Sequence, residues 1–235
     1  MYMVPAGAGA RWSRTGPRIG RKHLRCHSTE CYISTLKAQL IRLLLHDQGI
    51  AFTDDVIDKK DWPAMKPTLN LAFGQMPAFW DGDFQLVQTG AILRYLSRKH
   101  GTYGSNDTEA SLIDMAYDGI EDFYQRYIRM VYDNFANRKE KFLAEMVPNV
   151  ILPTLQKLLM TNKNGEGFLV GDKISFADYH LFQFLDALMG LSASACLEAF
   201  PVMKAYYERI KARPGINKFL ASDLNQKRTF NNAGH

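Results

Sequence analysis

The stretch Phe73–Leu96, FGQMPAFWDGDFQLVQTGAILRYL, decides how the chain is read. Its order is turn, strand, tight turn, strand, helix. Pro77 stands directly before the apolar run Ala78-Phe79-Trp80. A proline cannot donate to a ladder, so it belongs at the start of that strand. An X-Pro bond also tolerates the cis form, which would turn the main chain of Met76 outward. The N–H and C=O of Met76 would then be open to an extended ligand. Asp81-Gly82-Asp83 is a hairpin signal, and Phe84–Gln88 alternates like a return strand. Thr89-Gly90 opens an amphipathic helix, so Gln88 and Thr89 stand at its N-terminus. Unpaired amides and the positive dipole end there suit a carboxylate. Together these features describe a cleft for a small peptide-like acid. An ordinary hairpin followed by a capped helix fits the same spacing.

Outward from that stretch, composition narrows the field. The chain has 235 residues, 46% hydrophobic and 23% charged, enough for one or two domains with a sizeable core. No apolar run is long enough to span a bilayer. The net charge of +5 comes from the head. Residues 1–30 hold six Lys/Arg and one acid, which leaves 23 bases and 23 acids in the remainder. The body therefore has no electrostatic case for nucleic acid. Three cysteines, Cys26, Cys31 and Cys196, do not make a disulfide framework and point to a reducing compartment.

The head, residues 1–30, is basic, rich in small residues and without apolar periodicity, and it reads as disordered. Its Arg-rich, acid-poor make-up leaves organelle targeting as an alternative to a cytoplasmic location. His23, Cys26, His27 and Cys31 cluster, but their spacing fits no common zinc pattern, and no metal is expected.

In the body, Tyr32–Asp47 is an amphipathic helix stopped at Gly49. Ile50–Thr53 leads to a short strand with a polar face, Asp54–Ile57, and 58–71 is a polar loop with helical turns around Trp62, Pro63 and Pro67. Gly101 ends the helix that Thr89 begins, and 102–107 is a candidate linker. Beyond it the pattern is helical. One long helix spans 108–136, with Leu112, Met115, Ile120, Phe123, Tyr127, Met130 and Val131 as inner positions. A second helical region runs 138–160, bent or restarted at Pro148 and Pro153. Ser175-Phe176-Ala177-Asp178 has the form of a capping box, and the helix behind it is apolar nearly all round. Two shorter helices and a polar tail follow. There is no P-loop, Rossmann glycine motif, HExxH or GxSxG. The organisation is a small α/β unit, 31–101, then an all-helical unit, 108–235.

Four markers in order, GQMPAFWDGD, VQTGAILRYLSRKHG, DMAYDGIEDF and VGDKISFADY, resemble a cytosolic glutathione transferase, most similar to the pi class. The resemblance runs from Leu40 to Phe219, about three quarters of the chain. It implies an α/β thioredoxin-like N-terminal domain, an all-α C-terminal domain and a homodimer. By the same resemblance, Gln75 and Met76 pair through their main chain with the cysteinyl part of glutathione, and Pro77 is the family's cis-proline. Gln88 and Thr89 hold the γ-glutamyl end, while Trp62 and Lys66 lie at the glycyl end. Asp122 reaches the partner subunit's γ-glutamyl amine. Phe73 is the aromatic key of the dimer, and Tyr132 lies in the electrophile pocket. Ser175 and Asp178 match the family's capping box.

The front departs from the pattern. The family opens with a strand ending in Tyr-Phe and then Arg-Gly, its tyrosine donating to the glutathione sulfur. No such strand is recognisable here. Counting back from Asp47-Gln48-Gly49 puts Cys31 at the tyrosine position, with Tyr32 one residue later and Lys37 at a basic position of the family. Tyr32 is taken as the catalytic group. The implied activity is conjugation of the glutathione thiol to small electrophiles, with glutathione as co-substrate and no cofactor. The alternative is a non-catalytic glutathione- or apolar-ligand-binding protein of the same fold. No nucleic acid or membrane partner is expected.

Overall fold

A computed structural model describes residues 22–27, 32–58, 60–133, 135–192 and 195–226, with the backbone alone at 22, 25–27 and 32–36. Four strands form one sheet: β1 (Lys22–His27), β2 (Thr53–Ile57), β3 (Ala78–Asp81) and β4 (Phe84–Val87). The order is β2-β1-β3-β4. β1 runs parallel to β2, with Leu24 opposite Asp54, and antiparallel to β3, with Leu24 opposite Phe79. The β3–β4 hairpin turns at Asp81-Gly82-Asp83, where Gly82 has φ 64°, a value that glycine adopts without a Cβ penalty.

This sheet corrects the reading of the head. Residues 22–27, expected to be disordered, form a central strand, so the first strand is present. KHLRCH lacks the apolar alternation that marks a strand, but two neighbouring strands satisfy its backbone and Leu24 is fully buried. Residues 1–21 lie outside the described residues.

Helix α1 (Tyr32–Asp47) covers one face of the sheet. Leu40, Ile41, Leu43, Leu44 and Leu45 on it are all at most 1% exposed. Each buried side chain of that size contributes roughly 1.5–3 kcal/mol. Burial so complete on consecutive residues means that α1 is covered on more than one side. It packs against β1 and α3 (Thr89–His100), and also against helices of the second half. Between β2 and β3 lie the one-turn α2 (Trp62–Met65) and a 3₁₀ turn, Lys66–Thr68. α3 ends at Gly101 in the left-handed conformation, after Arg98, Lys99 and His100.

The second half is helical. α4 (Asp107–Tyr132) is capped by the Asn106 side chain, which accepts the Glu109 N–H at 2.9 Å. Of the expected inner positions, Ile120, Tyr127, Met130 and Val131 are buried and the other three are not. Leu112 and Met115 are exposed, at 42% and 56%, and Phe123 is half-buried. Ile113, Ala116, Tyr117, Ile120, Tyr124, Tyr127 and Ile128 face the core, with Met130 and Val131. α5 (Phe135–Lys141) runs into a π-helical segment, Phe142–Ile151, which contains Pro148. The missing proline N–H explains why the ladder widens there. α6 (Leu152–Met160) restarts with Pro153 in its first turn.

α7 (Phe176–Leu191) is the core helix, almost wholly buried. Its capping box is complete. Asp178 Oδ2 accepts both the N–H and the hydroxyl of Ser175 at 2.8 Å, and Oδ1 accepts the Leu169 N–H at 2.8 Å and the Tyr206 hydroxyl at 2.9 Å. α8 (Pro201–Lys211) and α9 (Pro214–Leu220) follow. A short α10 (Asp223–Gln226) begins the tail that the sequence reads as merely polar.

Candidate functional site

The site is built around the N-terminus of α3. β4 delivers the chain to Gln88, which has φ 72° and ψ 116°. A non-glycine residue in such a region costs about 1–3 kcal/mol and persists only where its surroundings demand it. The Gln88 side chain does not cap α3, and its first-turn amides face outward. The first ladder bond is Ile92 N–H to Gln88 C=O at 3.0 Å. Thr89 is nearly buried and Gln88 is exposed.

A cavity of about 380 Å³ opens at this helix end. Pro77, Gln88, Thr89, Gly90 and Ala91 line it from the first half of the chain, Lys37 from α1, Arg94 from α3, and Tyr117 and Glu121 from α4. The Met76–Pro77 peptide is cis. Gln75 borders this site, since Gln88 Nε2 donates to its Oε1 at 3.5 Å, a long contact. Four sequence-predicted residues, Lys37, Pro77, Gln88 and Thr89, are thus brought together.

The cationic side chains in the wall are paired. Arg94 Nε donates to Asp114 at 2.6 Å and its Nη2 to Asp118 at 2.9 Å. Lys37 donates to Glu121 Oε1, which Gln125 also contacts. Burial opposes the ionised form of Glu121, but His180, Lys37 and Gln125 outweigh it and hold its pKa below the usual carboxylate range. Burial and the charge of Glu121 push the Tyr117 hydroxyl pKa up, so it stays protonated at neutral pH. With both cations neutralised locally, the amide end of α3 remains as the positive feature. Such a cavity suits a ligand that carries a carboxylate and hydrogen-bonding groups.

The other predicted residues lie around this cavity. Trp62 and Met76 pack with Leu69 on the small cluster of Leu71, Ala78, Trp80 and Val87. The Lys66 stem crosses Gly74, its Cε 2.9 Å from where a Cβ would sit, and so runs beside the turn that carries Gln75. Asp122 is exposed on α4, one residue after Glu121. Phe73 is 66% exposed and Tyr132 43%, and neither lines the cavity. The side chain of Tyr32 lies outside the described residues; its backbone begins α1. A larger cavity, about 520 Å³, opens between α4, α5 and the π-helical segment over Met130, Phe142, Met146 and Val150, and includes none of these residues.

Sequence reasoning missed Arg94, Tyr117 and Glu121. Glu121 stands beside Asp122 in DGIEDF, and its side choice depends on the true phase of α4. Arg94 lies off the buried stripe of α3, which is Thr89, Ile92, Leu93, Leu96 and Ser97, and so carries no local signal. Among the described residues no three His, Cys, Asp or Glu side chains are grouped to hold a metal, and no helix is long and apolar enough to cross a membrane.

Comparison with known proteins follows the same lines. The family "Glutathione S-transferase, N-terminal domain" matches residues 33–98, and "Glutathione S-transferase, C-terminal domain" matches residues 121–223. The chain is 46% identical over 197 residues to a glutathione S-transferase of Dirofilaria immitis, covering 84% of this chain and 93% of that one. It is 38% identical to glutathione S-transferase P of Bos taurus over the same shares. Among solved structures, the pi-class glutathione S-transferase of Onchocerca volvulus superposes with a TM-score of 0.83 at 38% identity, covering 91% of this chain and 98% of that one.

Proposed function

This chain belongs to the glutathione S-transferase family, and on that premise we propose that the cavity at the start of α3 is where it seats glutathione. The protein is a transferase that joins the glutathione thiol to small electrophiles. The observation that carries the placement is the convergence of Gln88, Thr89, Pro77 and Lys37 on one uncapped helix end. The γ-glutamyl carboxylate lies against the first-turn amides and the Thr89 hydroxyl, with Gln88 beside it. The cysteinyl main chain pairs with the backbone of Gln75 and Met76. The glycyl end extends toward Trp62 and Lys66.

A free thiol has a pKa of about 8.5, so only a few per cent is ionised at neutral pH. A hydroxyl donated to the sulfur stabilises the thiolate, and Tyr32 supplies it in this reading. The thiolate attacks the electrophilic carbon, a C–S bond forms, and the leaving group departs with the bonding pair. The thiol proton passes to solvent. Tyr132, at the exposed end of α4, borders the electrophile. No metal or redox group enters the step.

The active form is a homodimer. Phe73, Leu112 and Met115 are large apolar side chains left exposed on the single chain, which supports a partner surface. Phe73 is the key that inserts into the partner, and Asp122 completes the partner's glutathione site. The location is cytoplasmic, and the two units are 31–101, with β1 added to its sheet, and 108–235.

The test is conjugation of glutathione to an activated aryl chloride, followed by absorbance, for the wild type and Tyr32→Phe. Saturable turnover is expected, reduced on the order of tenfold or more in Tyr32→Phe. No turnover above background in the wild type would make this a binding protein of the same fold. Equal turnover in the two would remove Tyr32 alone from the assignment.

A further inference from the structure

α7 carries a histidine that the reading above does not use. His180 is fully buried on the helix that forms the core of the second half. Its ring is caged by Tyr117 and Tyr124, with ring centroids 4.8 Å and 5.5 Å away. Its Nε2 lies 3.3 Å from Glu121 Oε2. That oxygen is buried and makes no other hydrogen bond among the described residues, and the same holds for His180 Nε2. The two atoms therefore face each other at ion-pair distance across the α4–α7 interface, where the imidazole also meets the Tyr117 main chain.

The other oxygen of the same carboxylate, Oε1, takes the Lys37 ammonium. Lys37 also lies 5.4 Å from the Tyr124 ring centroid, the ring that abuts His180. A continuous path thus runs from α7, through Glu121 on α4, to Lys37 of α1 in the cavity wall. We infer that His180 is a positioning residue for the glutathione cleft: it fixes the Glu121 carboxylate from behind and so holds Lys37 at the cavity wall. The inference rests on the cavity being that cleft.

The protonation states agree with this role. The groups that face His180 are Glu121 and Tyr117 on α4 and Lys37 on α1, with Arg94 of α3 stacked 5.0 Å from the Tyr117 ring. Burial pushes the His180 pKa down to about 4, against the pull of Glu121. A neutral imidazole with its proton on Nε2 donates to the carboxylate without adding a second positive charge, so Glu121 keeps its negative charge for Lys37. Replacing the imidazole by an apolar group leaves a buried carboxylate oxygen without a donor, and Glu121 then turns away or takes up water. Either change frees Lys37.

The experiment compares the wild type with His180→Leu, His180→Gln and His180→Asn in the full-length protein, with Phe182→Leu as a control on the same helix. Phe182 is buried and stacks on Tyr207, away from the cavity. Steady-state conjugation reads the KM for glutathione and kcat separately, and thermal unfolding reads stability. The expected result for His180→Leu is a glutathione KM raised roughly fivefold or more with a smaller change in kcat, the size of a typical coupling between contacting groups. His180→Gln, whose amide nitrogen takes the place of Nε2, restores KM to within about twofold. Adding Lys37→Met to His180→Leu raises KM no further. His180→Asn, too short to reach Glu121, carries the same expectation as leucine and serves in its place if the leucine variant does not fold. Phe182→Leu lowers the unfolding temperature without moving KM. His180 variants that lose stability with an unmoved KM would overturn the inference and leave the cleft reading intact. A wild type that glutathione does not saturate would overturn both.

Discussion

Single residues at the cavity differ in how far the sequence discloses them. Pro77, Gln88 and Thr89 are local features: a proline before a strand and polar residues at a helix start keep their meaning wherever the helix goes. Glu121 and His180 carry no such signal, because their roles depend on α4 and α7 packing in one particular phase. The pH dependence of stability exposes that packing. The folded His180 pKa, about 4, is below its ordinary value of 6.5. Between those values the unfolded chain binds more protons, so stability falls as pH drops through the window. Glu121, held below its usual range, extends the loss further into acid. The wild type is therefore expected to lose about 2 kcal/mol more than His180→Gln on going from pH 7 to pH 5. Urea unfolding of the two at both pH values measures the difference. Equal losses would mean that the histidine is not held neutral in the fold.

Elements were legible where local chemistry and tertiary role agree. The leucine run of α1 and the stop at Gly49 define that helix as the structure has it. The box Ser175–Asp178 marks the start of α7. β1 was missed because Lys22–His27 is polar by composition; its strand identity comes from the ladders on either side and from the buried Leu24. Three positions of the α4 stripe are misassigned because exposed Leu112 and Met115, like half-buried Phe123, look like core residues in a single sequence. The strongest test at this scale is Asp178, which is fully buried and accepts four hydrogen bonds. Asp178→Ala strands the Leu169 and Ser175 amides and the Tyr206 hydroxyl as well as uncapping α7. The expected cost is about 3–5 kcal/mol, read from the urea midpoint. Ser175→Ala, which removes the hydroxyl that accepts the Asp178 N–H and donates to its carboxylate, is expected to cost about 1 kcal/mol. A cost for Asp178→Ala no larger than that would mean that the box does not anchor the second half.

At the scale of the whole molecule, the two halves are joined at the end of α1. The Asp47 carboxylate is buried there, accepting from Arg213 Nε at 2.9 Å and from the Tyr179 hydroxyl at 2.6 Å, and Gln48 donates to the Tyr179 oxygen at 2.8 Å. Gly215 of α9 meets the same spot, where an added Cβ would lie 2.4 Å from the His46 carbonyl oxygen and 2.5 Å from Asp47 Cα. Both contacts are backbone and cannot swing aside. Gly215→Ala is therefore expected to push α9 off α1, costing about 2–4 kcal/mol in urea unfolding and opening a lower-temperature transition in calorimetry. A neutral effect would mean that this joint yields. The joint is invisible in sequence, because the glycine and its neighbours meet only after both halves have folded. The general plan, an α/β half followed by a helical half, is legible because hydrophobic periodicity changes after Gly101.

Everything proposed for the site depends on glutathione binding at the start of α3. Titration calorimetry of the purified protein with reduced glutathione, wild type against Thr89→Val, tests it most directly. Saturable binding by the wild type is expected, with about a tenfold loss of affinity in Thr89→Val, the usual size for one hydrogen bond to a charged group. No heat of binding in the wild type, or equal affinity in the two, would contradict it.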